Sequence, residues 1–183
     1  GITDAANVDV TFDAGSAAAA DILAIDVLTT GTLTLNAVTE ITGNVSDISD
    51  VYGNGYGGLG NEAIVVSDDP ITAAQLISLN ALTTALVTTA AAAVTGSAAD
   101  VATVISDANI SMADDVEATL AAGSADAAKL NTIDSNTTTA VVATSITEIT
   151  GTAAAIATAM SSAGITDAAD VDVTVNAGTA AAA

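Results

Sequence analysis

GITDAANVDVTFDAGSAAAA, residues 1–20, returns as GITDAADVDVTVNAGTAAAA at 164–183. A chain that opens and closes on one phrase reads as a stretch of a longer tandem array, so the fold has to be sought in the repeat. Working inward, AADILAIDVLTT begins at Ala19, AAQLISLNALTT at Ala73 and AAKLNTIDSNTT at Ala127, a constant step of 54 in position (73−19, 127−73). VTEITG at Val38 and ITEITG at Ile146 lie two such steps apart (146−38). The expected organisation is one continuous domain over 1–183, with repeats at about 1–54, 55–108 and 109–163 and the start of a fourth at 164–183.

A half-period runs through this. Glycine followed by small or hydroxyl residues recurs at Gly15-Ser16, Gly43-Asn44, Gly96-Ser97, Gly123-Ser124, Gly151-Thr152 and Gly178-Thr179. One expected member is replaced near Asp69-Pro70. The elementary unit is therefore about 27 residues in two alternating flavours, a length within the leucine-rich-repeat range.

After each glycine comes a capping residue and an Ala-rich stretch with aliphatics three apart. Ile22, Ile25 and Leu28 are matched by Leu76, Leu79 and Leu82, then by Leu130 and Ile133. The other flavour carries Ile48 and Val51, Val101 and Val104, and Ile156. Ser, Thr or Asn before such a run is an N-cap signature, alanine is the best helix former, and the spacing gives one narrow apolar stripe. Short helices of two to three turns follow, with some 3₁₀ character. Between them apolar and polar residues alternate: Val8, Val10 and Phe12; Ile64 and Val66; Val116, Ala118 and Leu120; Val171, Val173 and Val175. Period two with one apolar face predicts half-buried strands. TLTLNAVTEIT, residues 32–42, predicts a β-branched stretch with a turn at Asn36-Ala37.

Strand and short helix at a constant beat define an α/β fold, a repeat solenoid of ~27-residue strand–helix coils with parallel sheet. In it, like strands of successive coils stack on one another and alanine lets neighbouring helices sit close. The alternative is a right-handed β-helix, which would force the Ala runs out of their preferred conformation.

Composition narrows the function. One Lys, no Arg, no His and 22 acidic residues give a net charge of −21. Nucleic acid needs clustered cations and an anionic membrane would repel this chain, so neither is an expected partner. No apolar run approaches the ~20 residues of a spanning helix, so membrane insertion is not expected either. The partners left for so much carboxylate are water, salt and divalent cations, calcium first among them. With no Cys there is no disulfide framework or thiolate site. No signal peptide is visible, as expected for a piece of an array.

Candidate sites follow. GNGYGGLGNEAIV, residues 53–65, contains GGLGNEAIV, which resembles the calcium-binding RTX nonapeptide pattern with Glu62 in the acidic position and Ile64 in the apolar one. Gly57, Gly58, Gly60 and Glu62 are the candidate metal residues: glycines permit a tight turn that aims carbonyls at an ion, and the carboxylate completes the shell. The alternative is a glycine-rich surface loop. Carboxylates recur in repeat register at Asp9, Glu117 and Asp172, with Ala63 breaking the row, and at Glu40 and Glu148. On a parallel stack these predict acidic columns that salt or divalent ions relieve, or simply a solvated acidic face. Asp68-Asp69 and Asp114-Asp115 read as turn residues. Thr29-Thr30, Thr83-Thr84 and Thr137-Thr138, with Thr42, Thr95 and Thr150, raise ice binding, against threonine's ordinary use in strands and turns. No enzyme is expected: there is no His or Cys for a nucleophilic triad, and the single Lys129 falls in a predicted helix.

AADILAIDVLTTGT, ITGTAAAIATA and GLGNEA together resemble the long Ala/Thr/Asp-rich tandem repeats of giant secreted cell-surface proteins, adhesin or S-layer-like, of aquatic bacteria and cyanobacteria in particular. The resemblance implies an extracellular or cell-surface structural protein, often calcium-dependent. The expected function is a rigid spacer, fibre or surface coat without catalysis, whose partners are adjacent repeats of the same protein through end-to-end self-association. The alternative is a calcium-dependent adhesin or binding module, with ice or glycan binding behind it.

Overall fold

A computed structural model describes residues 6–176. The remainder of both terminal phrases, including Gly178-Thr179, lies outside the described residues. The elements run, in chain order, β1 (Val10–Thr11), β2 (Gly15–Ala18), α1 (Ala19–Asp26), β3 (Leu33–Thr34), β4 (Val38–Gly43), α2 (Val45–Gly53) and β5 (Ala63–Val66). There follow β6 (Ile71–Thr72), α3 (Ala73–Asn80), β7 (Val87–Thr89), β8 (Ala93–Gly96), α4 (Ala98–Ile105), β9 (Ile110–Ser111) and β10 (Glu117–Leu120). The chain continues with β11 (Gly123–Asp126), α5 (Ala127–Ser135), β12 (Val141–Ala143), β13 (Ile146–Gly151), α6 (Ala153–Ser161), β14 (Ile165–Asp167) and β15 (Asp172–Val175). The class is α/β with parallel sheets, and its helices depart from a pure β-helix.

The described residues divide into two compact units. Unit 1 holds 6–68 and 78–90, and unit 2 holds 69–77 and 91–176. In unit 1, β2, β4, β5 and β7 lie side by side, and β1 pairs with β3. In unit 2 one sheet runs β6-β8-β10-β12-β14 and another β11-β13-β15. Every one of these pairs is parallel.

Register corrects the expected beat. Ala17 pairs with Ile41 (41−17 = 24), Ile41 with Ile64 (64−41 = 23) and Ile64 with Val87 (87−64 = 23), each step shorter than the expected beat. In unit 2 Ile71 pairs with Val94 (94−71 = 23) and Val94 with Ala118 (118−94 = 24). Two pairing steps carry Ala17 to Ile64, 47 positions on (64−17), which is seven short of one sequence repeat. Like strands therefore do not stack on like. Besides β1-β3, sheets begin at β2, β6 and β11, one in each of the three sequence repeats. The slower beat survives in the helices, which begin at Ala19, Val45, Ala73, Ala98, Ala127 and Ala153.

Local chemistry explains the elements. Asn44, Ser97 and Thr152 cap α2, α4 and α6 as their sequences predict, accepting from Asp47 N at 2.8 Å, Asp100 N at 3.1 Å and Ala155 N at 3.2 Å. Ser16 and Ser124 do not cap: the chain first runs through β2 and β11, and α5 is capped by Asp126, which accepts from Ala128 N at 2.8 Å. In α3, Thr72 and Gln75 form a reciprocal capping box, Thr72 N to Gln75 Oε1 at 2.9 Å and Gln75 N to Thr72 Oγ1 at 3.2 Å. Ile22, Leu76, Leu79, Leu130 and Ile133 are fully buried, but Leu28 is 77% exposed because α1 has ended at Asp26.

The predicted alternation holds best in β10 and its lead-in, where Val116, Ala118 and Leu120 are buried and Glu117 is exposed. The turn at Asn36-Ala37 is present, closed by Val38 N to Leu35 O at 2.9 Å. Alanine and glycine set the closest approach between successive segments. A Cβ on Gly43 would meet the Ala19 Cβ at 3.3 Å; one on Gly96 the Ala73 Cβ at 3.2 Å; one on Gly151 the Ala127 Cβ at 3.3 Å. The same contact thus recurs in all three repeats, and the three alanines are fully buried.

Candidate functional site: the Glu62 loop

α2 ends at Gly53 and the chain enters the glycine-rich loop that leads to β5. Gly58, at φ +96°, sits so tightly on Asn36 that an added Cβ would fall 2.6 Å from its Cα. Gly57 is drawn into bridging with Thr34, and its carbonyl accepts from Leu35 N at 3.0 Å. The Gly60 carbonyl accepts from Thr84 N at 3.0 Å. These two carbonyls, which a calcium loop would aim at an ion, are turned to neighbouring backbone.

Glu62 is the centre of the loop. It is 1% exposed, and the residues one repeat before and after it are Val8 and Val116. Val116 is buried to the same degree, so a carboxylate occupies a slot that the sister repeat fills with an apolar side chain. Burying that charge is tolerable only with donors supplied. Oε2 accepts from Gly60 N at 2.8 Å, Asn61 N at 3.2 Å and the Tyr52 hydroxyl at 3.1 Å. Oε1 is buried and has no hydrogen-bond partner. The carboxylate fastens the loop back on itself and onto α2.

Sequence reasoning misses Tyr52 as a partner; its one signal is rarity, as one of two tyrosines in the chain. Burial, then the charge of Glu62, push its hydroxyl well above its ordinary value. The folded state thus keeps a proton that the unfolded chain releases above about pH 10, so stability falls as pH rises through that region. We expect the alkaline decline in unfolding free energy to flatten in Tyr52→Phe. A decline of unchanged slope would assign it elsewhere.

The acidic columns take a different course from the one predicted, because paired strands are not repeat equivalents. Glu40 lies between Ser16 and Ala63, and Glu117 opposite Ala93. Glu148 instead lies beside Asp172, and Thr174 Oγ1 donates to Glu148 Oε1 at 2.7 Å. Asp9 accepts from Thr32 N at 2.7 Å, Asp68 from Val45 N at 2.7 Å and Asp69 from Ala92 N at 3.0 Å. Lys129 is exposed on α5.

The threonine pairs are staples. Thr29, Thr83 and Thr137 each donate Oγ1 to a carbonyl of the preceding step, Val8 O at 2.6 Å, Glu62 O at 2.7 Å and Val116 O at 2.7 Å. Each also accepts an N–H from just beyond it, that of Gly31, Ala85 and Thr139. The second threonine donates its N–H to the same earlier segment, Thr30 to Ala6 O at 2.6 Å, Thr84 to Gly60 O at 3.0 Å and Thr138 to Asp114 O at 2.8 Å. Three copies of one dipeptide thus make one recurring pattern, and their first hydroxyls are spent on backbone.

Among the described residues no group of three or more Asp, Glu, His or Cys side chains is placed to hold a metal ion. None of the described helices is long and apolar enough to cross a membrane. No family model, no curated protein and no solved structure matches the chain. What it can do is therefore argued from its own geometry.

Proposed function

We propose that this chain is a structural repeat segment of a very large extracellular bacterial surface protein, a rigid spacer, fibre or coat with no chemistry of its own. The observation that carries the reading is the near-constant parallel step along β6-β8-β10-β12-β14, as in Ile71 to Val94 to Ala118 and Val141 to Ile165. A solenoid whose coils bind only their neighbours, with stability accumulated repeat by repeat, would give such a step, and the step supports that reading. The threonine staples support it, since side chains that could face a ligand are used to tie one step to the next. The resemblance to repeats of aquatic-bacterial surface proteins and the strongly acidic composition agree with an extracellular setting. Adjacent repeats and further copies of the chain, associating end to end, are its partners.

A calcium-dependent module is the second reading, favoured by the buried, unpartnered Oε1 of Glu62. Calcium takes six to eight oxygen ligands, so the loop would have to supply its remaining shell from backbone and water. One experiment separates the two. Thermal melting in millimolar calcium, against magnesium at equal ionic strength, is expected to give the same midpoint with either ion. A rise specific to calcium that disappears in Glu62→Gln would replace the spacer reading with the second one. Electron microscopy of the concentrated protein is expected to show rods or sheets.

A further inference from the structure

Asn54-Gly55 is the single Asn-Gly pair in the chain, and it lies in the loop built around Glu62. Asn54 is the C-cap of α2, and both residues are exposed. The other helices of this flavour, α4 and α6, end on Ser106 and Ser162, so an amide stands at this place only after α2. An asparagine side chain is open to attack at Cγ by the backbone nitrogen of the next residue. Glycine leaves that nitrogen uncrowded, and nothing lies within 4 Å of where a Gly55 Cβ would be. Asn136, the C-cap of α5, is followed instead by Thr137, whose branched side chain screens the corresponding nitrogen.

The chemistry closes in two steps. Gly55 N gives up its proton and bonds to Asn54 Cγ, and the side-chain nitrogen takes up a proton and leaves as ammonia. Water then opens the five-membered succinimide at one of its two carbonyls. One opening gives aspartate; the other gives isoaspartate, with the main chain rerouted through the side chain. Water is the co-reactant, and nothing is oxidised or reduced.

The fold holds the first step back. Asn54 has a ψ of −15°, a helical value that keeps Gly55 N away from Cγ, so the ring closes only when this dihedral turns. Three hydrogen bonds resist the turn. Asn54 N donates to Asp50 O at 2.9 Å, Gly55 N to Tyr52 O at 3.3 Å and Asn54 Nδ2 to Tyr56 Oη at 2.7 Å. The second of these ends on a residue that Glu62 fastens, since the Tyr52 hydroxyl donates to Oε2 at 3.1 Å. The end of a helix opens at low cost, and here that opening is the gate.

We propose that Asn54-Gly55 is a site of spontaneous deamidation, gated by opening of the last turn of α2, which the Tyr52–Glu62 hydrogen bond holds shut. The product is a looser loop. An Asn54 turned to carboxylate sits at the C-terminal end of α2, where the helix dipole disfavours an anion, one turn from Asp50. The Tyr56 hydroxyl accepts from Asn54 Nδ2 and faces Asp26, and its one proton cannot serve two carboxylates. Isoaspartate adds a methylene to the main chain ahead of Gly58, which is packed tightly on Asn36.

The test holds the full chain for weeks at physiological temperature and neutral pH, folded and in denaturing urea. Peptide mapping by mass spectrometry, with an isoaspartyl methyltransferase assay, then reads each asparagine. Conversion is expected at Asn54 ahead of every other asparagine, Asn136 included, and more slowly in the folded chain than in urea. Tyr52→Phe should speed it about fivefold in the folded chain, the change in open population from one lost hydrogen bond, and leave the rate in urea unchanged. Asn54→Asp should unfold at lower urea than wild type. An Asn54 that keeps its amide in urea as well as in the folded chain overturns the site. Equal rates folded and unfolded, or a folded rate that ignores Tyr52→Phe, overturn the gate. Should Tyr52→Phe disturb the fold by circular dichroism, hydrogen exchange at Gly55 N in the wild type decides, and exchange as fast as in the unfolded chain overturns the gate. An Asn54→Asp chain as stable as wild type overturns the loosening.

Discussion

Replacing Ile64 by alanine will lower the stability of unit 1 by about 2–5 kcal/mol, the range for emptying a buried aliphatic site that cannot collapse. Ile64 is fully buried in β5 and paired in register with Ile41 on one side and Val87 on the other. Its repeat counterpart is Ala118, which is also fully buried, so the substitution writes in a residue that the protein already uses at this position. The cost remains because the surroundings differ. The inward row of β10 and its lead-in is Val116, Ala118 and Leu120, whereas that of β5 and its lead-in is Glu62, Ile64 and Val66. The volume that Leu120 supplies beside Ala118 has no equal beside Ile64, where Val66 stands. Val65, half-buried on the other side of the same strand, provides the control, and Val65→Ala should cost under about 1 kcal/mol. Both tyrosines, Tyr52 and Tyr56, belong to unit 1, so urea unfolding followed by tyrosine fluorescence reads the right unit. Equal losses at 64 and 65 would mean that the strand does not alternate as described.

That comparison also marks what a repeat in sequence can tell. Position in the repeat identifies which residues occupy like surroundings: the buried alanines 19, 73 and 127, the caps Asn44, Ser97 and Thr152. The caps, like the turn at Asn36-Ala37, depend on chemistry within a few residues, which local sequence carries in full. Adjacency across the sheet depends on something else, the length of chain spent between one strand and the strand it pairs with. From Ile41 to Ile64 that length is 23 (64−41), and no spacing of like residues reveals it, because paired strands are not repeat equivalents. Acidic columns at the repeat spacing do not form for this reason, and Glu148 meets Asp172 instead. The threonine pairs are visible in the sequence as a recurrence. Their role appears only once the carbonyls of the preceding step, such as Glu62 O and Gly60 O, are seen beside them.

The Glu62 loop is half legible. Its glycines announce a tight turn, and Gly58 against Asn36 shows why one is needed. The purpose of the carboxylate is harder to read, since the RTX-like spacing points outward to an ion and the structure turns Oε2 inward to the loop's own donors. A signal for that does exist. Aligning the repeats puts Glu62 in a column with Val8 and Val116, and a charged residue in an apolar column calls for buried donors close by.

Removing the carboxylate should therefore be expensive. Glu62→Ala leaves Gly60 N, Asn61 N and the Tyr52 hydroxyl without their acceptor and opens a space next to β5. Stranded donors of this kind cost about 1–3 kcal/mol each when water cannot reach them. All three are part-buried, so some rehydrate, and the expected total is about 2–4 kcal/mol. Glu62→Gln keeps an acceptor oxygen in place of Oε2 and should lose about 1 kcal/mol, the difference between a charge-assisted and a neutral hydrogen bond. Glu62→Val, the residue of the sister repeat, restores apolar packing but none of the acceptors, and belongs between the other two. The order Gln, Val, Ala in rising cost is the diagnostic result, read in the same tyrosine-monitored urea unfolding without divalent ions. If Val proves as good as wild type, the loop needs only a filled slot, and the hydrogen bonds to Oε2 contribute nothing to its hold. If Gln is as damaging as Ala, the charge itself matters more than its three donors, and an ion at Oε1 becomes the better account of why the carboxylate is there.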